Sequence, residues 1–283
     1  MNNIQITTEV SADIPQDILR EKNIGTVALQ VHLDGKEYKD GALSNQEVLD
    51  IFNAKKELPS TSAVSVGDYQ DLFRPYLQEG KTVIHVAMSS GISSTYQNAC
   101  IAAEDLEDEG RVYVVDGKGL SQATSILVYK ALGLAEAGKS AEEIVAALNE
   151  MVPKLDSSFI ITDLAFLKHG GRCSTLAALG ANLLKLKPMI NMDGGSMSTD
   201  KKYRGKDEDA YFQYLDDRFA DGAAYDDEYV CISHGLVDPA VLDKAASILK
   251  KKYKFKNVIT NDVGTVIFAH GGKGCFGVFF LQS

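Results

Sequence analysis

The chain has 283 residues, 45% of them hydrophobic and 24% charged, so it can bury a core as one large domain or two smaller ones. Its formal net charge is −10 and its isoelectric point is near 5.0, which disfavours nucleic acid as a partner. The first residues resemble no secretory leader, and no apolar run reaches the roughly 18 residues of a membrane span. We therefore expect a cytoplasmic protein without stable membrane insertion.

The four cysteines, Cys100, Cys173, Cys231 and Cys275, lie far apart in the sequence. No two of them have CxxC spacing, and neither the cysteines nor the histidines have the spacing of zinc ligands. Without a secretory signal, a framework of disulfides is not expected. We interpret the cysteines as small apolar core residues and predict no metal and no other cofactor.

The first half of the chain alternates strand-like and helical patterns. Two serines, Ser44 and Ser140, each begin a capping box that precedes an amphipathic helix. Strands separated by helices indicate a largely parallel sheet, in which ligands bind beyond the carboxyl ends of the strands. The runs that predict strands are residues 4–8, 26–33, 82–88 and 112–116.

The second half has a different rhythm, which changes near residues 151–153. Asp238, followed by a proline, is typical of a helix start. We therefore predict two α/β domains, residues 1–155 and residues 156–283. The other predicted elements of the second half are a strand at 158–163, a helix at 175–185, a hairpin formed by 187–192 and 196–199, and closing strands at 264–269 and 277–281.

Two loops rich in hydroxyl groups precede predicted helices in the first half. One contains Thr61 and Ser62, and the other contains Ser93 and Ser94. A strand, a Gly/Ser loop and a helix N-terminus together make an anion site, because unpaired amides and the helix dipole favour negative charge. The alternative is that these residues serve as helix caps and turn residues.

Two glycine-containing segments in the second half are further candidates. Arg172 follows two glycines that allow close backbone approach, although a helix C-cap explains the same pattern. His270 ends a predicted strand and precedes a glycine loop that lacks the Walker A spacing. It is a candidate polar anchor or, alternatively, a structural histidine. The remaining histidines are interpreted as structural or surface residues.

A serine-dependent hydrolase or transferase is a separate hypothesis. The sequence contains no GxSxG elbow, and no motif supplies a base beside the serines of residues 89–94. A pair formed by Ser93 and His270 stays open at this point.

Seven segments stand out together in chain order: TS at 61–62, SSGISSTYQNA at 89–99, VVD at 114–116 with Ser121, FLKHGGRCS at 166–174, LLKLKPMI at 183–190, RGK at 204–206 and VIFAHGGKG at 266–274. In this order they resemble the segments of the DegV family. Two departures from the family pattern are Thr8-Glu9-Val10, where TDS is usual, and Ser94, where glycine is usual.

The resemblance implies a two-domain α/β lipid-binding protein that carries a long-chain fatty acid between its domains and is not itself an enzyme. It implies that Thr61 and Ser93 hold the carboxylate, with Ser62 and Ser94 beside them.

The same resemblance implies that Arg172 and His270 lie near the head group. It also implies a separate ATP-dependent fatty-acid kinase as a partner, which makes an acyl phosphate for phospholipid precursor metabolism. Arg204 and His270 are then candidates for partner docking or phosphoryl transfer. The alternative functions are the serine-dependent enzyme and a carrier of another small lipid or anionic metabolite.

Overall fold

The computed structural model describes residues 3–172, 186–220 and 224–283. The strands in these ranges are β1 (Ile4–Glu9), β2 (Gly25–Val27), β3 (Gln30–Leu33), β4 (Lys36–Lys39), β5 (Ser60–Ser62), β6 (Thr82–Ala87), β7 (Val112–Asp116), β8 (Leu155–Ile160), β9 (Lys187–Asp193), β10 (Ser196–Tyr203), β11 (Tyr225–His234), β12 (Asn257–Asp262) and β13 (Phe276–Gln282). The helices are α1 (Gln16–Glu21), α2 (Asn45–Lys55), α3 (Val66–Gln78), α4 (Thr95–Asp105), α5 (Gln122–Glu136), α6 (Ala141–Met151), α7 (Leu164–Gly170), α8 (Asp207–Arg218), α9 (Pro239–Lys251) and α10 (Thr265–Gly271).

A four-stranded parallel sheet forms the centre of the first half, in the order β2-β1-β6-β7. Five of the six residues in β1 and in β6 are buried, as expected for parallel strands covered on both faces. Helices α3 and α4 contact β6, and so do α5 and α6. The predicted parallel sheet flanked by helices is confirmed.

A six-stranded mixed sheet forms the centre of the second half, in the order β10-β9-β8-β13-β11-β12. Among the described strands of this sheet, β11 and β12 form the one parallel pair, and the other neighbours are antiparallel. The predicted hairpin is formed by β9 and β10. A small antiparallel sheet, β4-β3-β5, carries Thr61 and Ser62.

Helix α5 lies between the two large sheets and contacts β1 and β6 on one side and β11 and β13 on the other. All eight residues from Gln122 to Tyr129 are buried. A helix that is buried on every side belongs to the core itself. One apolar cluster therefore joins Ile126 of α5 to Val86 of the first sheet and to Phe279 of the second.

The predicted helix starts are confirmed where side chains cap the backbone. Ser44 and Ser140 each form a complete capping box with the glutamate three residues later. Asp238 accepts a hydrogen bond from the amide of Ala240 at 2.8 Å, with proline at the first helical position of α9. Such caps satisfy amide groups that have no partner inside the helix.

Two strand predictions are wrong in detail. Residues 264–269 form most of helix α10, not a strand, because buried apolar runs do not distinguish a short buried helix from a strand. Asp13 and Asp40 accept hydrogen bonds from the amides of Gly264 and Val266, which starts the helix. The predicted run 26–33 is divided between β2 and β3, which belong to different sheets.

The predicted helix at 175–185 and Cys173 lie outside the described residues. The division between residues 155 and 156 falls inside β8, and it stays a prediction. In the described ranges, we find no helix that is long and apolar enough to cross a membrane.

Candidate functional site

A cavity lies among β5, α10, the C-terminal part of α7 and the loop that follows β6. The space free of protein atoms is about 770 Å³, part of which is open to solvent. Most of its lining is apolar. Five predicted site residues line it: Thr61, Ser62, Ser93, Arg172 and His270.

His270 and Thr61 form a hydrogen-bonded pair at this cavity. The Nε2 atom of His270, in the last turn of α10, lies 2.8 Å from Oγ1 of Thr61 in β5. The Nδ1 atom of the same ring is buried and has no hydrogen-bond partner in the described residues. The tautomer with the proton on Nε2 avoids a buried unpaired N–H donor, which is the costlier group to leave unpaired. His270 then donates to Thr61, and the Thr61 hydroxyl is free to donate into the cavity.

The environment of His270 keeps its imidazole uncharged. Burial lowers the pKa of His270 to about 4, and the positive charges of Arg172 and His169 act in the same direction. Gly170 packs directly against the ring, since a Cβ atom at that position would lie 2.0 Å from Nδ1 of His270. The first glycine of the predicted GGR segment is therefore needed for the close approach of α7 to α10.

Arg172 brings positive charge to the same side of the cavity. Its Nη1 atom donates to the carbonyl oxygen of Gly170 at 2.7 Å, and its side chain is exposed. The predicted C-cap is also present, because Gly171 ends α7 in the left-handed conformation with φ of 67°. The segment thus ends a helix and lines the cavity at once.

Ser93 lies just before α4 and is partly buried. Its Oγ accepts the amide N–H of Thr95 at 3.2 Å and is hydrogen-bonded to the Thr95 hydroxyl. The start of this helix favours negative charge through its free amides and its dipole. The hydrogen-bond partner of His270 is Thr61 and not Ser93, so the described contacts give Ser93 no base for nucleophilic chemistry.

Three other predicted residues have different placements. Ser62 lines the cavity, but its hydroxyl lies 2.9 Å from Nε2 of His32. Ser94 is exposed, does not belong to the described cavity lining and has a φ of −78°, which any residue can adopt. Arg204 is exposed beside Glu208 in a separate surface groove. The sequence therefore predicted the cavity loops better than the role of each member.

The tip of the β9–β10 hairpin closes onto the serine-rich loop. Ser89 donates to the carbonyl oxygen of Gly195 at 2.6 Å, and a Cβ atom on Gly91 would lie 2.4 Å from that oxygen. Gly195 has a φ of +94°, a conformation that favours glycine. Met197, two residues along β10, lines the cavity. The predicted hairpin thus contributes a wall of the site, which its turn sequence alone did not indicate.

A buried polar network at the end of β1 was not predicted. Glu9 accepts hydrogen bonds from Tyr69 at 2.7 Å and from the amide of Met88 at 3.0 Å, and it lies 3.0 Å from Nε2 of His85. The Glu9 and His85 side chains are fully buried. Both carboxylate oxygens are engaged inside the protein, which gives Glu9 a structural part at a position where the family pattern has aspartate. Its place at the carboxyl end of a buried strand was the available signal.

Comparisons with known proteins agree with this architecture. A sequence profile described as "uncharacterised protein, DegV family" matches residues 3–283. A DegV domain-containing protein of Clostridium acetobutylicum is 33% identical over 283 residues, which cover 100% of this chain and 99% of that protein.

Two solved structures are similar over 99% of this chain and 99% of their own. A DegV family protein from Thermus thermophilus, described as binding fatty acid, has a TM-score of 0.89 and 27% identity. DegV from Bacillus subtilis, described as a fatty acid binding protein, has a TM-score of 0.82 and 28% identity. With the matching profile and the relative from Clostridium, these similarities mean that the chain belongs to the DegV family.

Proposed function

We propose that this protein binds a long-chain fatty acid in the cavity, with Thr61 and Ser93 donating hydrogen bonds to its carboxylate. The observation that carries the proposal is the pairing of a mostly apolar cavity with the Thr61 hydroxyl, which His270 leaves free to donate. The fatty acids bound by the relatives from Thermus thermophilus and Bacillus subtilis support the same class of ligand.

The energetics assign affinity to the acyl chain and orientation to the hydroxyl groups. Each buried methylene contributes about 0.8 kcal/mol, so a chain with roughly 14 of them contributes about 11 kcal/mol before the costs of association and ordering. Each hydrogen bond to a charged carboxylate adds about 1.5–3 kcal/mol. The guanidinium of Arg172 adds a favourable charge at the same side of the cavity.

The proposal includes presentation of the bound acid to a separate ATP-dependent kinase. A carboxylate oxygen would attack the γ-phosphorus of ATP, forming an acyl phosphate and releasing ADP. Neutral donors suit this step, because they orient the carboxylate without pairing it tightly to a cation. The exposed Arg204 is the candidate for docking, and His270 is the candidate beside the reacting group.

The ligand is tested by denaturing the purified protein, extracting it and identifying the extract by mass spectrometry. We expect a stoichiometric fatty acid from the wild type and at least tenfold less from the double variant Thr61→Val/Ser93→Ala. Ser60→Ala is a matched control, since Ser60 is an exposed residue of the same strand outside the described lining. A wild-type protein that is empty and does not take up added fatty acid would refute the proposal.

The kinase step has its own test. Loaded protein is mixed with ATP and a fatty-acid kinase, and acyl phosphate is trapped with hydroxylamine. Absence of the trapped product with fully loaded protein would refute the kinase partnership and leave the ligand assignment intact.

A further inference from the structure

A second group of polar side chains lines the same cavity. Ser121, which precedes α5, and Ser233, in β11, are 1% and 3% exposed, and their hydroxyl oxygens lie 2.8 Å apart. The Ser121 hydroxyl also donates to the carboxylate of Asp13. Buried hydroxyl groups in a mostly apolar cavity are costly unless they find partners.

The position of this group follows from α10. Val266, Ile267 and His270 line the cavity, and their helical spacing places them on one face of α10; Val263, just before the helix, also lines it. The cavity therefore extends along the helix. The two polar groups lie at opposite ends of this helix. His270 is in its last turn. Asp13, which binds Ser121, accepts a hydrogen bond at 2.7 Å from the amide of Gly264, just before its first turn.

The length of α10 gives the scale of the separation between the two polar groups. From the N-cap Gly264 to His270, six residues at about 1.5 Å each give roughly 9 Å along the helix axis. A ligand whose carboxylate is held beside His270 and whose chain follows α10 brings its middle, and not its end, to Ser121 and Ser233.

Ser233 keeps hydrogen-bonding capacity after its described contacts. A hydroxyl group has one donor and two acceptor sites, and the recorded side-chain partner of Ser233 is the Ser121 hydroxyl alone. A methylene at this point leaves the remaining capacity unused. Because Ser121 gives its one proton to Asp13, Ser233 donates to Ser121 and keeps a free acceptor site, to which a ligand hydroxyl can donate.

We propose that Ser233 is a specificity-determining residue that admits long-chain acids with a hydroxyl group in mid-chain. The inference rests on the proposed function, because the carboxylate beside Thr61 and His270 defines the position of the chain. A neutral hydrogen bond contributes about 0.5–1.5 kcal/mol, which corresponds to roughly 2- to 13-fold in affinity.

The test measures dissociation constants by titration calorimetry on delipidated protein. The ligands are octadecanoic acid and hydroxyoctadecanoic acids with the hydroxyl at successive mid-chain carbons. Ser233→Ala is expected to lower the preference for the best hydroxy acid over octadecanoic acid by roughly 2- to 13-fold. Ser158→Ala is the matched control, because Ser158 is equally buried and hydrogen-bonded, to Tyr214, but lies outside the described lining.

A second variant covers the case in which Ser233→Ala fails to fold. Ser121 has a φ of 53°, so Ser121→Gly keeps its backbone conformation while removing the hydroxyl group that positions Ser233. It is expected to lower the same preference. If octadecanoic acid binds and neither folded variant changes the preference, the inference is overturned. If the wild type binds neither kind of acid, the proposed function itself is what fails.

Discussion

Gly170→Ala tests whether the close packing of α7 on His270 supports the site. A Cβ atom there would lie 2.0 Å from Nδ1, 2.9 Å from Cε1 and 3.2 Å from Cγ of the His270 ring. The ring has to move to relieve these contacts. Because its Nε2 atom is 2.8 Å from Thr61 Oγ1, we expect the movement to break that hydrogen bond.

The expected loss of stability combines three contributions. Overpacking a filled site costs about 1–3 kcal/mol, and the lost hydrogen bond costs about 1 kcal/mol. Alanine in place of a helical glycine raises the free energy of unfolding by about 0.5–1 kcal/mol and offsets part of this loss. We therefore expect Gly170→Ala to lower the free energy of unfolding by about 1–3 kcal/mol and to lower fatty-acid retention. Urea denaturation measures the first effect, and extraction with mass spectrometry measures the second.

Two controls separate the clash from a general effect of the substitution. Gly133 is a glycine of α5 whose Cβ would meet no atom within 4 Å, so Gly133→Ala should stabilise the protein by about 0.5–1 kcal/mol. In a His270→Ala background the ring is absent, so Gly170→Ala should cost little. If Gly170→Ala instead stabilises the wild type as Gly133→Ala does, the packing argument is wrong.

Two further predictions concern buried titratable groups. The pKa of His270 falls to about 4 in the folded protein, so the unfolded chain binds more protons than the folded protein between pH 6.5 and 4. The free energy of unfolding therefore decreases as the pH is lowered through this range, by about 1–2 kcal/mol near pH 5. In urea denaturation at several pH values, His270→Asn should lack this contribution to the dependence of the free energy of unfolding on pH. Asp40, whose pKa rises to about 6, contributes in the opposite direction in both proteins. The same pH dependence in the wild type and the variant would contradict the assignment. Glu9→Gln places an amide beside the Met88 N–H and leaves donors unpaired, so it should lower the free energy of unfolding by about 1–3 kcal/mol in the same assay. An unchanged denaturation midpoint would exclude this network as a source of stability.

The sequence predicted those parts of the fold whose signals are local. Ser44 and Ser140 were identified as caps because the capping box lies within four residues. The helical state of residues 264–269 was missed because it depends on Asp13 and Asp40, which are more than 200 residues away in the sequence. No local pattern contains that information.

The same distinction applies to the cavity. Thr61, Ser93, Arg172 and His270 stand in segments with recognisable composition, and the described cavity includes all four. Ser233 stands in a strand that looks like ordinary core, and only the pairing of β11 with β13 and the approach of Ser121 bring it to the cavity. Residues that reach a site through tertiary packing leave little trace in a single sequence.

The burial of α5 between the two large sheets limits how the ligand can enter. Separating the sheets would expose the buried N-terminal half of α5, including Ile126, Leu127 and Val128, to water. Burial of one such side chain is worth about 1.5–3 kcal/mol, so opening by that route is prohibitively costly. Exchange of the ligand therefore has to proceed through the loops and the hairpin tip at the rim, while the two sheets act as a fixed frame.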